Sequence, residues 1–267
     1  MRETYRSDDN KTYWTKRWEN IGADEKMENK DSYPLKYTLE AISHKDNNQK
    51  ILEAGCGAGR IVSYLHDNNF KVVGIEFIRS AIEKIKLKFP KLNVHTMDIL
   101  NTKFENNEFD TILAFGLYHN FQIDMFEKAL DETKRILKDD GLLCFSFRSD
   151  NIQNYILDKI KDNEKSKKHF HKLNLKKNEI SKILARKNFR IIKSYYVLNM
   201  PLLFHFKIFR SSEQKNFNEH LGRKKGYSLN FIGKIFNKIL ILFFKKHYCN
   251  IHVIYCKKLL ETPKLPK

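Results

Sequence analysis

The sequence lacks long hydrophobic runs. No stretch of about 18 uninterrupted apolar residues, the length that a bilayer-spanning helix requires, occurs in its 267 residues. The first residues, MRETYRSDDN, also lack the apolar segment of a secretory signal peptide. We therefore expect a cytoplasmic protein that is neither secreted nor membrane-spanning.

The sequence also has few cysteines, prolines and glycines. Its five prolines and ten glycines are scattered, so no change of composition marks a linker between domains. The four cysteines have neither CxxC spacing nor a neighbouring His/Cys cluster, which argues against a zinc site and against a disulfide framework. No bound metal is expected. Buried, reduced thiols are expected at Cys56, Cys144, Cys249 and Cys256.

Acidic residues are scarce in the second half of the chain. Residues 151–267 contain 27 basic and 7 acidic side chains, whereas residues 1–150 contain 23 and 25. The formal net charge of +18 therefore arises entirely in the second half. A codon bias toward lysine would raise the lysine content of both halves equally. The second half therefore tolerates or uses positive charge.

Segments with strand spacing alternate with segments of helical spacing after Gln49. The predicted strands are residues 50–54, 71–76, 92–97, 110–115, 142–147, 189–197 and 250–257. Helices are predicted at residues 60–68, 80–89, 123–137 and 175–188. Strands that alternate with helices in this way form βαβ units and a parallel sheet that is buried on both faces. The segment before Gln49 is polar, and short helices are predicted there.

The first predicted strand runs into a glycine-rich segment, ILEAGCGAGR at residues 51–60. Gly55, Gly57 and Gly59 tolerate unusual backbone angles and let a ligand approach the main chain. Such turns bind nucleotide-like cofactors, although glycines also serve plain tight turns. Acidic residues at the next two strand ends favour a cofactor. Glu76 is placed to bind ribose hydroxyls, and Asp98 to meet an adenine amino group.

Two features argue against a nicotinamide or flavin dinucleotide. The dinucleotide fingerprint is G-x-G-x-x-G, but Arg60 stands where its third glycine is required. Glu53, just before the first glycine, would repel a pyrophosphate. The same carboxylate would attract a ligand that carries an ammonium and a sulfonium.

Residues 51–148 resemble a class I S-adenosylmethionine-dependent methyltransferase of the small-molecule type. The resemblance is carried by ILEAGCGAGR, VVGIE, HTMDIL, DTILAFGLYHNF and LKDDGLLCFSF, in the family's order and spacing. It implies an α/β, Rossmann-like sheet of seven strands with helices on both faces and a helical insertion before the last strand. That last strand would run antiparallel between the fifth and the sixth. It also implies S-adenosyl-L-methionine as the cofactor.

The resemblance assigns roles to particular residues. Those that would line the methionine part of the cofactor and the transferred methyl group are Glu53, Gly55, Gly57, Phe115 and Gly116. Those that would hold its ribose and adenine are Glu76, Phe77, Asp98 and Ile99.

Methyl transfer is an in-line displacement at a sulfonium, so the enzyme has to align the acceptor, exclude water and, for a hydroxyl acceptor, remove a proton. His119, just after the strand at 110–115, is the candidate general base, or else it only shapes the pocket. Tyr118 and Asn120 are candidate acceptor contacts. Trp14 is another, because YWTKRW at residues 13–18 resembles the N-terminal stretch that closes over the cofactor in small-molecule members.

The acceptor is less defined than the cofactor. The N/D-P-P-Y/F sequence of many base and glutamine N-methylases is absent, as is the Pro-Cys motif of cytosine C5 methylases. A small or lipid-like acceptor, methylated on oxygen or nitrogen, is therefore favoured over a nucleic acid. A non-catalytic protein that keeps the cofactor fold is the alternative from another class. The intact carboxylates of Glu53, Glu76 and Asp98 argue against it.

We predict a single methyltransferase domain over residues 1–267. Its parts would be a helical cap (1–49), the cofactor-binding core (50–148), the rest of the sheet (149–197 and 249–260) and a lid-like insertion (198–248). The insertion contains a basic amphipathic helix at 230–248 with a broad apolar side. Three roles stay open for it: a lid packed on the domain, a contact with an anionic membrane surface, or a site for RNA or another polyanion.

Overall fold

The computed structural model describes residues 1–20, 27, 29–43, 48–160, 168–211 and 228–259. The strands are β1 (Arg2–Arg6), β2 (Lys50–Ala54), β3 (Lys71–Glu76), β4 (Val94–Thr96), β5 (Phe109–Ala114), β6 (Leu137–Arg148), β7 (His169–Asn174), β8 (Phe189–Val197) and β9 (Ile251–Lys258). The helices are α1 (Asn10–Glu19), α2 (Leu35–Ile42), α3 (Arg60–Asp67), α4 (Arg79–Lys88), α5 (Ile123–Ile136), α6 (Ile152–Ile160), α7 (Lys177–Arg186) and α8 (Phe231–Tyr248). Short 3-10 turns lie at Tyr118–Asn120, Leu202–His205 and Lys207–Phe209.

Seven of these strands form one sheet in the order β4-β3-β2-β5-β6-β9-β8. Neighbours from β4 to β6 pair in parallel, whereas β9 pairs antiparallel with both β6 and β8. The sheet is the expected α/β, Rossmann-like one, with the antiparallel last strand in the predicted place. Because the other strands are parallel, β2, β3, β5, β6 and β8 all end at the same edge, which we call the carboxyl edge.

Alternate side chains of the central strands fill two cores. Leu52 and Ile112 belong to a core that includes α5 and α7, whereas Ile51 and Leu113 belong to one that includes α2, α3 and α4. Successive strand residues point to opposite faces, so helices cover the sheet on both sides. All four cysteines are buried and free, as predicted.

A second, two-stranded sheet was not predicted. β1 pairs antiparallel with β7, and Thr4 Oγ1 donates to the carbonyl of Lys172, 168 residues later. Arg2 fixes this sheet to the region of α6 by donating to Asp150 and Asp158. The prediction of short helices before Gln49 therefore fails at β1. Its sequence, RETYR, has no apolar alternation, and its conformation depends on a distant partner.

The insertion before β9 contains α8, as predicted. Asn230 caps the helix, because its Oδ1 accepts the N–H of Gly233 at 2.8 Å. The buried residues of α8 are Gly233 and Tyr248, while eight of its large apolar side chains are exposed. The alternative in which the apolar side of this helix packs on the domain is therefore wrong for most of that side.

Replacement of Leu52 tests the assignment of the core. Leu52 is 0 % exposed in β2, so Leu52→Ala should lower the free energy of unfolding by about 2–5 kcal/mol by leaving a cavity. Leu87→Ala is the matched control. Leu87 is 89 % exposed on α4, and its loss should cost less than about 0.5 kcal/mol. Chemical denaturation measures both, and equal losses would contradict the assignment.

Candidate functional site

The glycine-rich turn between β2 and α3 depends on left-handed backbone angles. Gly55, Gly57 and Gly59 have φ values of +71°, +56° and +73°. Glycine adopts this region freely because it has no Cβ. The N–H groups of Gly55 and Cys56 both donate to the carbonyl of Ile75 in β3, at 2.8 and 2.9 Å. The turn is therefore fixed to the neighbouring strand.

Two buried carboxylates stand at the ends of adjacent strands beside this turn. Glu53 is 6 % exposed and Glu76 is 8 % exposed. Glu53 Oε2 accepts the N–H of Val62, in α3, at 3.1 Å. Glu76 accepts the N–H of Gly57 at 3.1 Å and that of Ile78 at 3.0 Å. Backbone N–H groups of the glycine turn, of the first turn of α3 and of Ile78, just before α4, thus hold the two side chains.

Burial raises the pKa of both carboxyl groups. At Glu53 desolvation raises the pKa to about 8, the Val62 N–H and Arg60 oppose the rise, and Glu76 adds to it. At Glu76 desolvation also raises the pKa, against hydrogen bonds from backbone N–H groups. A cationic ligand would stabilise the ionised form of both groups. The turn is therefore electrostatically suited to a positively charged ligand.

Helix α1 covers the turn from one side. A Cβ atom at Gly57 would lie only 2.5 Å from the ring of Trp18, so this glycine lets the indole rest on the main chain. Trp14 stacks on Trp18, with 5.8 Å between ring centroids. Lys84 of α4 donates to the carbonyls of Trp18 and the next residue. Trp14, the candidate acceptor contact, therefore adjoins the turn through Trp18, the last residue of the YWTKRW segment.

Gly116, just after β5, borders open space. Its φ is +74°, and no heavy atom lies within 4 Å of the position that a Cβ would take. Its N–H donates to Ser146 Oγ at 2.8 Å. The following residue, Leu117, points back to the glycine turn, where its Cδ1 would lie 3.0 Å from a Cβ at Gly55. The carboxyl edge is thus open at Gly116 and lined by Leu117.

Tyr33 and Ser146 adjoin Gly116, and neither was predicted. The hydroxyl of Tyr33 lies 2.8 Å from Ser146 Oγ, the atom that also accepts the N–H of Gly116. The Tyr33 ring meets Phe115 edge-on, at 5.8 Å between centroids. Burial raises the pKa of Tyr33 to about 12, so its phenol is protonated at neutral pH. No sequence signal links Tyr33 to Ser146, 113 residues away.

The residues predicted to meet the adenine follow β3 and β4. Phe77 is 45 % exposed directly after Glu76. Asp98 Oδ1 accepts the N–H of Leu100 at 2.9 Å. Ile99 is buried in the core that contains α5. Phe77 and Asp98 therefore lie at the carboxyl edge, and the roles of all three toward an adenine stay predictions.

His119 lies in the 3-10 turn that follows Leu117. Its Nδ1 is buried, and within the described part of the chain this atom has no hydrogen-bond partner. Desolvation holds the pKa of His119 well below its usual 6.5, and Lys172 and Arg148 lower it further. The imidazole is therefore neutral at physiological pH and a weak proton acceptor. This favours the pocket-shaping alternative over a general base.

The side chains on either side of His119 make hydrogen bonds within the fold. Tyr118 is 0 % exposed, and its hydroxyl lies 2.8 Å from Thr133 Oγ1 of α5. The prediction that Tyr118 contacts the acceptor is wrong, because the ring turns into the core. Asn120 Nδ2 donates to the carbonyls of Gly116 and Leu117 at 2.6 and 3.0 Å. This buried amide braces the open glycine, which corrects its assignment as an acceptor contact.

Together these features define the class of the site. A left-handed glycine turn, two buried strand-end carboxylates and an open glycine share the carboxyl edge of a parallel sheet, where Rossmann-like proteins bind nucleoside cofactors. In the residues that the structure describes, no group of three or more His, Cys, Asp or Glu side chains could hold a metal ion.

Comparisons with known proteins agree with this class. A family model described as a methyltransferase domain matches residues 52–145. An uncharacterized methyltransferase of Oceanobacillus iheyensis is 25% identical over 101 residues, which are 38% of this chain and 47% of the relative. The crystal structure of a SAM dependent methyltransferase from Archaeoglobus fulgidus has a TM-score of 0.56 and 15% identity, over 84% of this chain and 93% of that one.

A further similar structure contains bound ligands. It is the 1,6-didemethyltoxoflavin-N1-methyltransferase of Burkholderia thailandensis, with bound 1,6-didemethyltoxoflavin and S-adenosylhomocysteine. The TM-score is 0.51 at 13% identity, over 85% of this chain and 78% of that one.

Residues 52–145 are thus similar to a methyltransferase domain, and the chain shares its fold with S-adenosylmethionine-dependent methyltransferases. The matched segment spans 47% and 52% of the length of the curated relatives. The solved structures, which are far less than 25% identical, share the fold with this chain.

The raised pKa of Glu53 gives a test of the turn. Its carboxyl has a pKa of about 8 in the folded chain, against an ordinary 4.5, so the folded state binds more protons than the unfolded state between these values. The free energy of unfolding should therefore fall as the pH rises through this window. Glu53→Gln, which cannot ionise, should remove this part of the decline.

Urea unfolding of the cofactor-free protein across that pH range measures the effect. Glu83→Gln, at an exposed carboxylate of α4, is the control and should keep the wild-type slope. A wild-type slope in Glu53→Gln would show that Glu53 is not a protonated, buried group.

Proposed function

We propose that this protein transfers the methyl group of S-adenosyl-L-methionine to an oxygen or nitrogen atom of a small or lipid-like acceptor. The observation that carries the proposal is the pair of buried carboxylates, Glu53 and Glu76, at a glycine turn that adjoins open Gly116. The cofactor has an ammonium and a sulfonium, so it would supply positive charge where burial disfavours two negative groups.

The glycine turn would bind the cofactor through main chain and carboxylates. Gly55 and Gly57 let the methionine part approach the backbone, and Glu53 attracts its ammonium. Glu76 accepts hydrogen bonds from the ribose hydroxyls. Phe77, Asp98 and Ile99 bound the adenine in this proposal.

The bound cofactor supplies an electrophilic methyl group, and the chain would align the acceptor and exclude water. Phe115, Leu117 and the ring of Tyr33 form an apolar border beside Gly116. The hydroxyls of Tyr33 and Ser146 hold the main chain of Gly116 in place. The apolar border would exclude water once the cofactor and the acceptor fill the open space at Gly116, as an in-line displacement requires.

His119 would meet the acceptor rather than the cofactor. Its neutral imidazole accepts a hydrogen bond from an acceptor hydroxyl or amine and orients the lone pair toward the methyl group. Its low pKa makes full proton removal less favourable than such positioning. Trp14, stacked on Trp18 above the turn, would close the cleft over the bound acceptor.

Two observations support the acceptor class and a contact with an anionic membrane. A structurally similar methyltransferase binds a small molecule, 1,6-didemethyltoxoflavin. In the present chain, eight large apolar side chains are exposed along α8, which suits a lipid-like acceptor and peripheral contact with lipid by a cytoplasmic protein.

RNA or another polyanion is the alternative acceptor, and the charge of residues 151–267 favours it. Phosphate binding would, however, leave the apolar side chains of α8 in water. A non-catalytic binding protein is the alternative from another class. It would bind the cofactor without releasing S-adenosylhomocysteine in any acceptor screen.

Calorimetric titration with S-adenosylmethionine and S-adenosylhomocysteine tests the cofactor site. We expect the wild type to bind both, and Glu76→Ala to bind at least about tenfold more weakly, because hydrogen bonds to a charged group contribute about 1.5–3 kcal/mol. Glu83→Ala, at an exposed carboxylate, should bind like the wild type. The proposal fails if the wild type does not bind or if Glu76→Ala binds equally well.

Tryptophan fluorescence provides an independent test. The two tryptophans of the chain, Trp14 and Trp18, both lie on α1, and Trp18 contacts Gly57. We expect titration with S-adenosylhomocysteine to change the emission because the indole adjoins the ligand. Trp18→Phe should abolish most of this change, whereas Trp14→Phe should retain it. The opposite pattern would mean that Trp18 does not adjoin the bound cofactor.

A further inference from the structure

Helix α8 exposes a large apolar surface to solvent. Its four exposed phenylalanines are Phe231, Phe236, Phe243 and Phe244, at 76, 49, 70 and 53 % exposure. At roughly 200 Å² per side chain they alone present roughly 500 Å² of apolar area. The other exposed apolar residues of the helix are Ile232, Ile235, Ile239 and Leu242. Apolar patches of this size mark interaction sites.

A second segment packs against α8 and extends this patch. A Cβ at Gly233 would lie 2.5 Å from the carbonyl of Phe209, so the glycine allows close contact. The rings of Phe209 and Phe236 are 5.6 Å apart, and Asn230 Nδ2 donates to the carbonyl of Ile208 at 2.6 Å. We call the exposed side chains of α8 and residues 202–209 the lid surface. It includes the exposed Phe206 and Ile208.

The lid surface is fixed to the carboxyl edge. Asn151, just after β6, donates to the carbonyls of Lys246 and Cys249 at 3.3 and 2.7 Å. Asn250, just before β9, accepts the N–H of Asn199 at 2.9 Å just after β8. Both anchors stand where β6 and β8 end. The surface is thus attached to the same edge of the sheet as the glycine turn and Gly116.

The charge of the lid surface is uniformly positive. Its exposed lysines are Lys207, Lys234, Lys238, Lys245 and Lys246. No acidic residue occurs in residues 198–211 or 228–259, the described parts of this region. Lysines interleaved with exposed phenylalanine, isoleucine and leucine match an interface of anionic headgroups above acyl chains. A second copy of this chain would bring lysine against lysine, and RNA would leave the phenylalanines in water.

The membrane contact would be peripheral. In the described part of the chain, no helix is long and apolar enough to cross a bilayer. An amphipathic helix with exposed phenylalanine on one part of its surface and lysine on another lies in the plane of the interface instead.

We infer that the lid surface docks on an anionic phospholipid bilayer and holds the carboxyl edge of the sheet toward it. An acceptor dissolved in the bilayer then reaches the cleft at Gly116 without crossing water. The acceptor part of this inference rests on the proposed methyltransferase function. The docking itself does not, because the lid surface shares none of the residues that would bind the cofactor.

Vesicle flotation tests docking without cofactor or acceptor. We expect the wild type to float with vesicles made of equal parts phosphatidylcholine and phosphatidylglycerol, and to stay behind with phosphatidylcholine alone or in high salt. Reversing two charges with Lys234→Glu and Lys238→Glu should lower the partition coefficient at least about tenfold. Lys86→Glu with Lys88→Glu, the same charge change on α4, should lower it far less.

A second set of variants, with its own control, tests the exposed apolar side chains of the lid surface. Leu242→Ser with Phe243→Ser removes two side chains that are 73 and 70 % exposed, so the fold should survive and flotation should be lost. Leu87→Ser removes a leucine of α4 that is 89 % exposed and should float like the wild type. The inference is overturned if the wild type does not float, if both changes act alike, or if gel filtration shows that a dimer covers the patch instead.

A thiol-linked environment-sensitive dye tests the orientation. The native cysteines are buried, so the dye will label an introduced one. Emission should shift to the blue on vesicle addition at Leu242→Cys and Ile208→Cys. It should not shift at Leu87→Cys, near the end of α4 and away from the carboxyl edge. A shift at Leu87→Cys alone would reverse the proposed orientation.

Normal cofactor titration without flotation would refute docking only, and flotation without cofactor binding would refute the proposed enzyme function only.

Discussion

Two carboxylates buried side by side are the constraint on which the site depends. Glu53 lies opposite Gly74 near the end of β2, and Glu76 ends the adjacent parallel strand β3, so the sheet places both beside the glycine turn. Left-handed glycines turn backbone N–H groups toward them, and Glu76 takes the N–H of Gly57. Burial still raises the pKa of both groups, because a few backbone donors do not replace water. The cationic cofactor that we propose would offset that cost, which would explain why the turn tolerates negative charge where a phosphate-binding turn could not.

The features that follow from local sequence could be predicted. Strand and helix spacing predicts the alternation of β2 to β6 with α3 to α5. The strands of such βαβ units run in parallel, so their carboxyl ends lie at one edge. Glu76 and Asp98 lie at this edge because they end or follow consecutive strands. The positive φ of Gly55 and Gly57 follows from the absence of a side chain. Each of these predictions requires only the pattern of residues that are close together in the sequence.

Features that depend on distant contacts could not be predicted. Tyr33 reaches the cleft through Ser146, and β1 becomes a strand only by pairing with β7. Tyr118 shows the reverse case. Its position after β5 suggested a cleft residue, but the 3-10 turn rotates its ring toward Thr133 and into the core. The position of a residue in the sequence predicts that it follows a strand end. The direction of its side chain depends on the geometry of the turn in which it lies.

The carboxylates of the glycine turn and the lysines of the lid surface form two regions of opposite charge. The cofactor that we propose is a cation, yet the second half of the chain carries a large excess of lysine and arginine. Solvent-exposed charges are largely screened beyond a distance of about 10 Å, whereas buried ones are screened much less. Glu53 and Glu76 therefore control the potential inside the turn, while lysines such as Lys234 and Lys238 control it at the lid surface. In the proposed function, one chain would thus hold a cationic cofactor in its interior and present a cationic, apolar surface to an anionic bilayer.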